Sequence, residues 1–231
     1  MNFFKCLPAI LALAVLSSSC SSENEVKAVS TITVVNVMAN AKPIIPSLTN
    51  GPLTPYTIAK TIAYGAAFSF TTGSGEVPMY VVQNSDTSRA LFQGGFTLAP
   101  GSISTLYLIG DTTRPDTLFT SDAIPFYTDS TAGIRFVHAS PASQPVSVNI
   151  KGAAPKELTD LGYKQLTGFK PYRVTPTANS RIFEIRNQAN DSLLVSYTWN
   201  PAPNRNYTVV FTGNWTDKTP TALRVFALNN F

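Results

Sequence analysis

The chain repeats itself, and the repeat limits its possible folds more than any other feature. Ile32-Thr33-Val34-Val35 is answered 102 residues later by Ile134-Arg135-Phe136-Val137. At that offset Pro43 falls on Pro145 and Ile44 on Val146. Further along, Leu98-Ala99-Pro100-Gly101 precedes the run Ser104 to Gly110 (STLYLIG), and Trp199 to Pro203 precedes Tyr207 to Gly213 (YTVVFTG). Pro100 then falls on Pro203 and Gly110 on Gly213, an offset of 103. Anchors roughly 65 residues apart with nearly equal offsets describe a tandem pair of units of about 100 residues each.

The periodicity inside each unit is that of strands. Ala66, Phe68 and Phe70 alternate with Ala67, Ser69 and Thr71, and Leu193, Val195, Tyr197 and Trp199 alternate with Leu194, Ser196, Thr198 and Asn200. Tyr80-Val81-Val82 and Val209-Val210-Phe211 are short, apolar and rich in β-branched or aromatic residues. Turn residues interrupt these runs every ~8–12 positions, the spacing of a sandwich or barrel. The 17 prolines are incompatible with long helices. Only Glu157 to Gln165 allows a helical turn or two, and the two units are expected to join near Tyr127 to Ala132. Gly73-Ser74-Gly75 reads as a hairpin turn rather than a phosphate cradle.

The N-terminus points to export. Lys5 precedes an apolar run of 10 residues, Leu7 to Leu16, which suits a signal-peptide core. The run is too short for a bilayer span, which needs ~20 apolar residues. Leu16-Ser17-Ser18-Ser19-Cys20 then resembles a lipobox, with Cys20 as the lipidated new N-terminus; a plain secretory cleavage site is the alternative. Several acyl chains on one cysteine make a lasting anchor, since each buried CH₂ contributes about 0.8 kcal/mol. Residues 1–19 are read as the signal peptide and 20–30 as a polar tether, whose Glu23 and Glu25 resemble a surface-export signal. Cys6 and Cys20 are the chain's 2 cysteines. The mature body therefore has no thiol for a disulfide, a zinc site or a nucleophile, and must be stabilised by its core.

Charge is sparse, at 13% of residues, while 44% are hydrophobic, which is a globular and not a disordered profile. Residues 20–130 carry 5 basic and 8 acidic side chains, and residues 131–231 carry 11 and 5. Opposite net charges suit mutual attraction of the halves or an acidic partner for the second. Scattered charge of this kind is also an ordinary solvated surface.

Gly133 to Gly152 reads GIRFVHASPASQPVSVNIKG, with the turn His138-Ala139-Ser140-Pro141 between two strands. This resembles the opening of the DUF4397 family. Asn206 to Gly213 and Leu223 to Leu228 are similar to the family's later strands. The first unit has Asn36-Val37-Met38-Ala39 where His-Ala-Ser-Pro would stand, and residues 31–128 are placed in the same family. The resemblance implies extracytoplasmic β-sandwich modules, often on lipoproteins, and no established activity.

Chemistry is hard to find in these residues. His138 is the only histidine; it reads as a backbone ligand of its own turn rather than a catalytic base or metal ligand. No nucleophile elbow, paired carboxylates or dinucleotide fingerprint stands out. Trp215 is the best candidate for an exposed, ligand-contacting aromatic, and Trp199 for a core one. Asp111-Thr112-Thr113, Asp116-Thr117-Leu118, Asp129-Ser130-Thr131 and Asp191-Ser192-Leu193 resemble O-glycosylation acceptors and are also ordinary turn chemistry.

The expectation is therefore an all-β protein. Two tandem immunoglobulin-like or transthyretin-like β-sandwich domains, 31–130 and 131–231, follow a signal peptide and a short tether. The functional expectation is a non-enzymatic binding or scaffolding module with no cofactor and no metal. Cys20 would anchor it to the outer membrane, facing either the periplasm or the cell surface. Its partners would be an envelope protein or a glycan, and not nucleic acid. The alternatives are a glycan-binding subunit of a polysaccharide-capture system, an adhesin or filament subunit and, further off, a hydrolase.

Overall fold

The structure is a computed structural model that describes residues 28–56, 59–141, 143–154, 156–175, 180–215 and 222–230. The signal peptide, Cys20 and most of the tether lie outside the described residues. Among the described residues fifteen strands make up the extended structure, and none is in an α-helix; Tyr56 alone is in a 3-10 conformation. The first seven are β1 (Val29–Asn36), β2 (Ile44–Ser47), β3 (Ala67–Gly73), β4 (Gly75–Gln83), β5 (Asp86–Leu98), β6 (Ile103–Gly110) and β7 (Pro115–Ser121). The other eight are β8 (Thr131–His138), β9 (Val146–Ile150), β10 (Lys156–Leu161), β11 (Lys170–Arg173), β12 (Arg181–Asn187), β13 (Leu193–Trp199), β14 (Asn206–Thr212) and β15 (Arg224–Asn229).

The first seven strands make two sheets, β3-β1-β6-β7 and β2-β4-β5. The remaining eight make β11-β8-β14-β15 and β10-β9-β12-β13. Each pair of sheets encloses its own core, so the protein is all-β and built of sandwiches. Ile32, Val34, Met79, Val81, Leu106 and Leu108 lie in the first core, and Ile134, Phe136, Phe183, Trp199, Val209 and Phe211 in the second.

The repeat extends to strand register. Ile32 of β1 lies opposite Ser104 of the parallel strand β6. Their repeat counterparts, Ile134 of β8 and Tyr207 of β14, lie opposite each other in the same parallel arrangement. The paired glycines also have a physical reason. Gly110 and Gly213 have φ of 78° and 98°, and a Cβ at either would collide with a carbonyl oxygen, that of Arg114 or Ala222.

A third apolar layer lies between the units. Val35, Val37, Tyr107 and Ile109 project from the outer face of the first unit's β1 and β6, and meet Val137, Ala139 and Val210 from the second. Strands β1, β6, β8 and β14 are thus buried on both faces. That explains their unbroken apolar runs, where a sheet with one solvated face would alternate. The sandwiches are not beads on a string; they share a seam, a buried apolar cluster.

Two local expectations are corrected. Residues 157–165 do not make a helical turn. Leu158 and Leu161 pair with Val148 and Val146 of β9, while Asp160 and Lys164 hold φ of 58° and 65°, which no right-handed helix accepts. Gly73-Ser74-Gly75 is a turn but not a hairpin, because it passes the chain from β3 in one sheet to β4 in the other. The segment between the units runs from Asp122, just after β7, to Ser130, just before β8.

Candidate functional site

The His138-Ala139-Ser140-Pro141 turn is built into the second unit's interior. His138 and Ser140 are fully buried. The Ser140 amide donates to His138 Nδ1 at 3.3 Å, so the ring proton sits on Nε2, which points to Gln144 O at 3.3 Å and Ser143 Oγ at 3.1 Å. The Ser140 hydroxyl donates to Gly213 O at 2.7 Å, tying the turn to the end of β14. Phe211 and Tyr163 set ring edges against the imidazole. Burial lowers the His138 pKa to about 4, so the ring is neutral at physiological pH. Ala139 belongs to the seam, and Pro141 closes the turn at the surface.

Trp215 was expected to be exposed. It is half-buried instead, because its ring packs on the second core, and Trp199 lies fully inside that core. The one exposed aromatic among the described residues is Phe126, 89% exposed on the segment between the units. Sequence reading missed it, although Pro125 beside it, in a gap between strands, was an available signal. Asp111 behaves as a turn residue, its Oδ1 accepting from the Thr113 and Arg114 amides at 2.7 and 2.9 Å; Asp116 instead lies in β7, opposite Ile109. Among the described residues no group of three His, Cys, Asp or Glu side chains is placed to hold a metal, and no helix is long and apolar enough to cross a membrane.

Polar chemistry concentrates at the seam. Arg135 of β8 reaches across it to Asp122, with Nη1 to Oδ1 at 2.8 Å and both side chains buried. Its Nε donates to Thr208 Oγ1 at 2.8 Å and its Nη2 to the Tyr107 hydroxyl at 3.2 Å, while the guanidinium lies 4.6 Å over the Phe169 ring. Thr105 Oγ1 donates to Asp122 Oδ2 at 2.5 Å. The seam therefore joins an acidic group of the first unit to a basic group of the second, as does the exposed Lys164–Asp116 pair at 2.9 Å. A buried pair of this quality costs much to break, because either partner alone would be left as an uncompensated charge.

Beside the pair lies a cleft of about 270 Å³. Its wall from the first unit is the outer face of β3, β1 and β6 (Thr33, Ser69, Thr105), and its wall from the second is the end of β15 (Leu228, Asn229, Asn230). The volume is just under the ~300–1,000 Å³ of drug-sized ligand sites, and position at a domain junction is typical of such sites. Thr33 and Ser69 hydroxyls bond each other at 2.8 Å. Two hydroxyls sharing one bond keep a further donor hydrogen and free lone pairs for a third group.

A family model described as "Domain of unknown function (DUF4397)" matches residues 25–149 and again residues 132–229. No curated protein matches the chain. Among solved structures, it is similar to a protein proposed to act in cell adhesion from Bacteroides eggerthii DSM 20697, at 13% identity, covering 88% of this chain and 95% of that one, with a TM-score of 0.24. A family 26 carbohydrate-binding module of Eubacterium rectale Amy13K, solved with maltoheptaose, matches at 10% identity, covering 86% and 96%, with a TM-score of 0.25. A DUF3823 family protein from Bacteroides ovatus ATCC 8483 matches at 10% identity, covering 74% and 97%, with a TM-score of 0.20. Superpositions this loose carry no argument about function.

Proposed function

Since this chain belongs to the DUF4397 family, we propose that it acts as a non-catalytic binding module of the cell envelope, held to the membrane by a lipid on Cys20. One observation carries the binding reading. The buried Asp122–Arg135 pair joins the two sandwiches, and beside it lies an open cleft lined by hydroxyl and amide side chains together with apolar ones. A pre-formed, water-accessible hollow at a rigid junction presents a ligand with fixed partners and little ordering cost. The chain's only histidine is neutral and committed to its turn, which leaves it unsuited to move protons near neutral pH.

The lipid anchor rests on the sequence of residues 1–20. Expressing the chain with Cys20→Ala and fractionating the cells tests it. The expected result is loss of acyl labelling and transfer of the protein to soluble fractions. Membrane attachment persisting in the variant would end the lipoprotein reading. On which face of the outer membrane the block sits is read by protease accessibility in intact cells, and surface display is the outcome that fits Glu23 and Glu25 in the tether.

A further inference from the structure

The seam has approximate twofold symmetry, because equivalent positions of the two units meet across it. Arg135 is the repeat counterpart of Thr33, and Thr208 that of Thr105. Asp122 and Asn230 each follow the last strand of their unit. Thr105 donates to Asp122 Oδ2 at 2.5 Å, and Thr208 donates to Asn230 Oδ1 at 2.5 Å. Ser69 sits opposite Thr33 on the neighbouring strand. Lys170 sits opposite Ile134, so Phe169 continues β11 toward Arg135. On one side of the axis Arg135 crosses to Asp122 and covers Phe169, which fills the space. On the other, Thr33, Ser69 and Asn230 hold the equivalent places, and their small neutral side chains leave the cleft.

We propose that this cleft is a binding site for a neutral, hydroxyl-rich ligand, a sugar residue of a glycan. The proposal rests on the binding-module reading and names the ligand class of that site. Asn230 stands where the symmetric site has a carboxylate, so nothing here calls for a cation. The one ionisable side chain in the lining, Asp122, is already neutralised by Arg135. What remains is the Thr33–Ser69 hydroxyl pair and the Asn230 amide at the edges, with Val35, Ala67 and Leu228 as an apolar floor. A pyranose offers the same combination, with hydroxyls around its rim and C–H groups on its face. A ligand carrying net charge would be desolvated here without a counter-charge, which is costly.

The test uses the full-length chain purified in detergent, screened against an array of short neutral oligosaccharides, with uronic-acid oligosaccharides and an arginine-rich peptide as charged comparators. Ser69→Trp fills the cleft from an exposed strand position, and Thr33→Val removes one hydroxyl while keeping the side chain's shape. The expected result is saturable binding of a neutral sugar, at least tenfold weaker for Thr33→Val and lost for Ser69→Trp, with thermal unfolding of both variants unchanged. Neutral-sugar binding that survives Ser69→Trp would overturn the assignment, as would preference for either charged comparator. Absence of binding by the parent chain overturns it as well. None of these results touches the anchor, which the Cys20→Ala fractionation decides by itself.

Discussion

Asn36 and His138 do the same work at equivalent places in the two units. Each is fully buried at the end of the first strand of its unit, and each reaches the backbone carbonyl six residues ahead. Asn36 Nδ2 donates to Lys42 O at 3.4 Å, and His138 Nε2 approaches Gln144 O at 3.3 Å. In this chain the histidine turn is therefore a structural clasp, and in the first unit an amide takes the place of the imidazole. Only His138 titrates, and this difference makes the second unit sensitive to acid.

The folded state holds the His138 pKa at about 4, below the 6.5 of a free imidazole. Its contribution to stability is complete above pH 6.5 and is lost as pH falls toward 4, because the unfolded chain takes up the proton first. The full loss is on the order of 3 kcal/mol. His138→Asn, which copies the first unit, should remove this component. Urea unfolding of both proteins at pH 7.5 and pH 4.5 measures it; an equal loss in parent and variant would show that His138 is not the sensor.

Breaking the seam's ion pair should be severe. Asp122→Ala leaves the Arg135 guanidinium buried without its counter-charge, at a cost of about 3–5 kcal/mol. Replacing both partners with apolar residues, Asp122→Leu with Arg135→Met, should recover most of that loss. Chemical denaturation of the two variants provides the comparison. A single variant as stable as the parent would mean that the pair does not hold the units together.

Gly65 has φ of 78°, and the Phe226 ring from the other unit packs where its Cβ would be. Gly65→Ala should therefore destabilise by at least ~1–3 kcal/mol, combining left-handed backbone strain with overpacking. Pairing it with Phe226→Leu should return part of the loss. A thermal melt indistinguishable from the parent's would contradict this packing.

Phe126 stands at the opposite extreme. It is 89% exposed, so Phe126→Ser should change stability by no more than about 0.5 kcal/mol. If the segment between the units meets a protein of the envelope, crosslinking from that position should capture it, and the serine variant should lose the capture without unfolding. A large drop in melting temperature would show that the ring is packed after all.

The sequence by itself determined the strand content, the repeat and its offset, and the core role of Trp199. These are local or periodic signals: alternation, turn residues, and glycines that no other residue can replace at Gly110 and Gly213. It also marked the His138 turn, whose imidazole hydrogen bonds span only a few residues. Tertiary structure decided the rest. Thr33 and Arg135 hold equivalent places in the repeat, and nothing nearby in sequence tells that one lines a cleft and the other crosses to Asp122. The apolar run Val209-Val210-Phe211 reports burial on both faces, but not that another copy of the repeat covers one of them. Trp215 looked exposed from its turn-like neighbours and is half-buried on the second core, while Phe126 is exposed although Asn206 of β14 holds the carbonyl of Pro125 beside it. A chain's pattern records how much surface each residue must hide; which distant residues hide it is settled only when the two units dock.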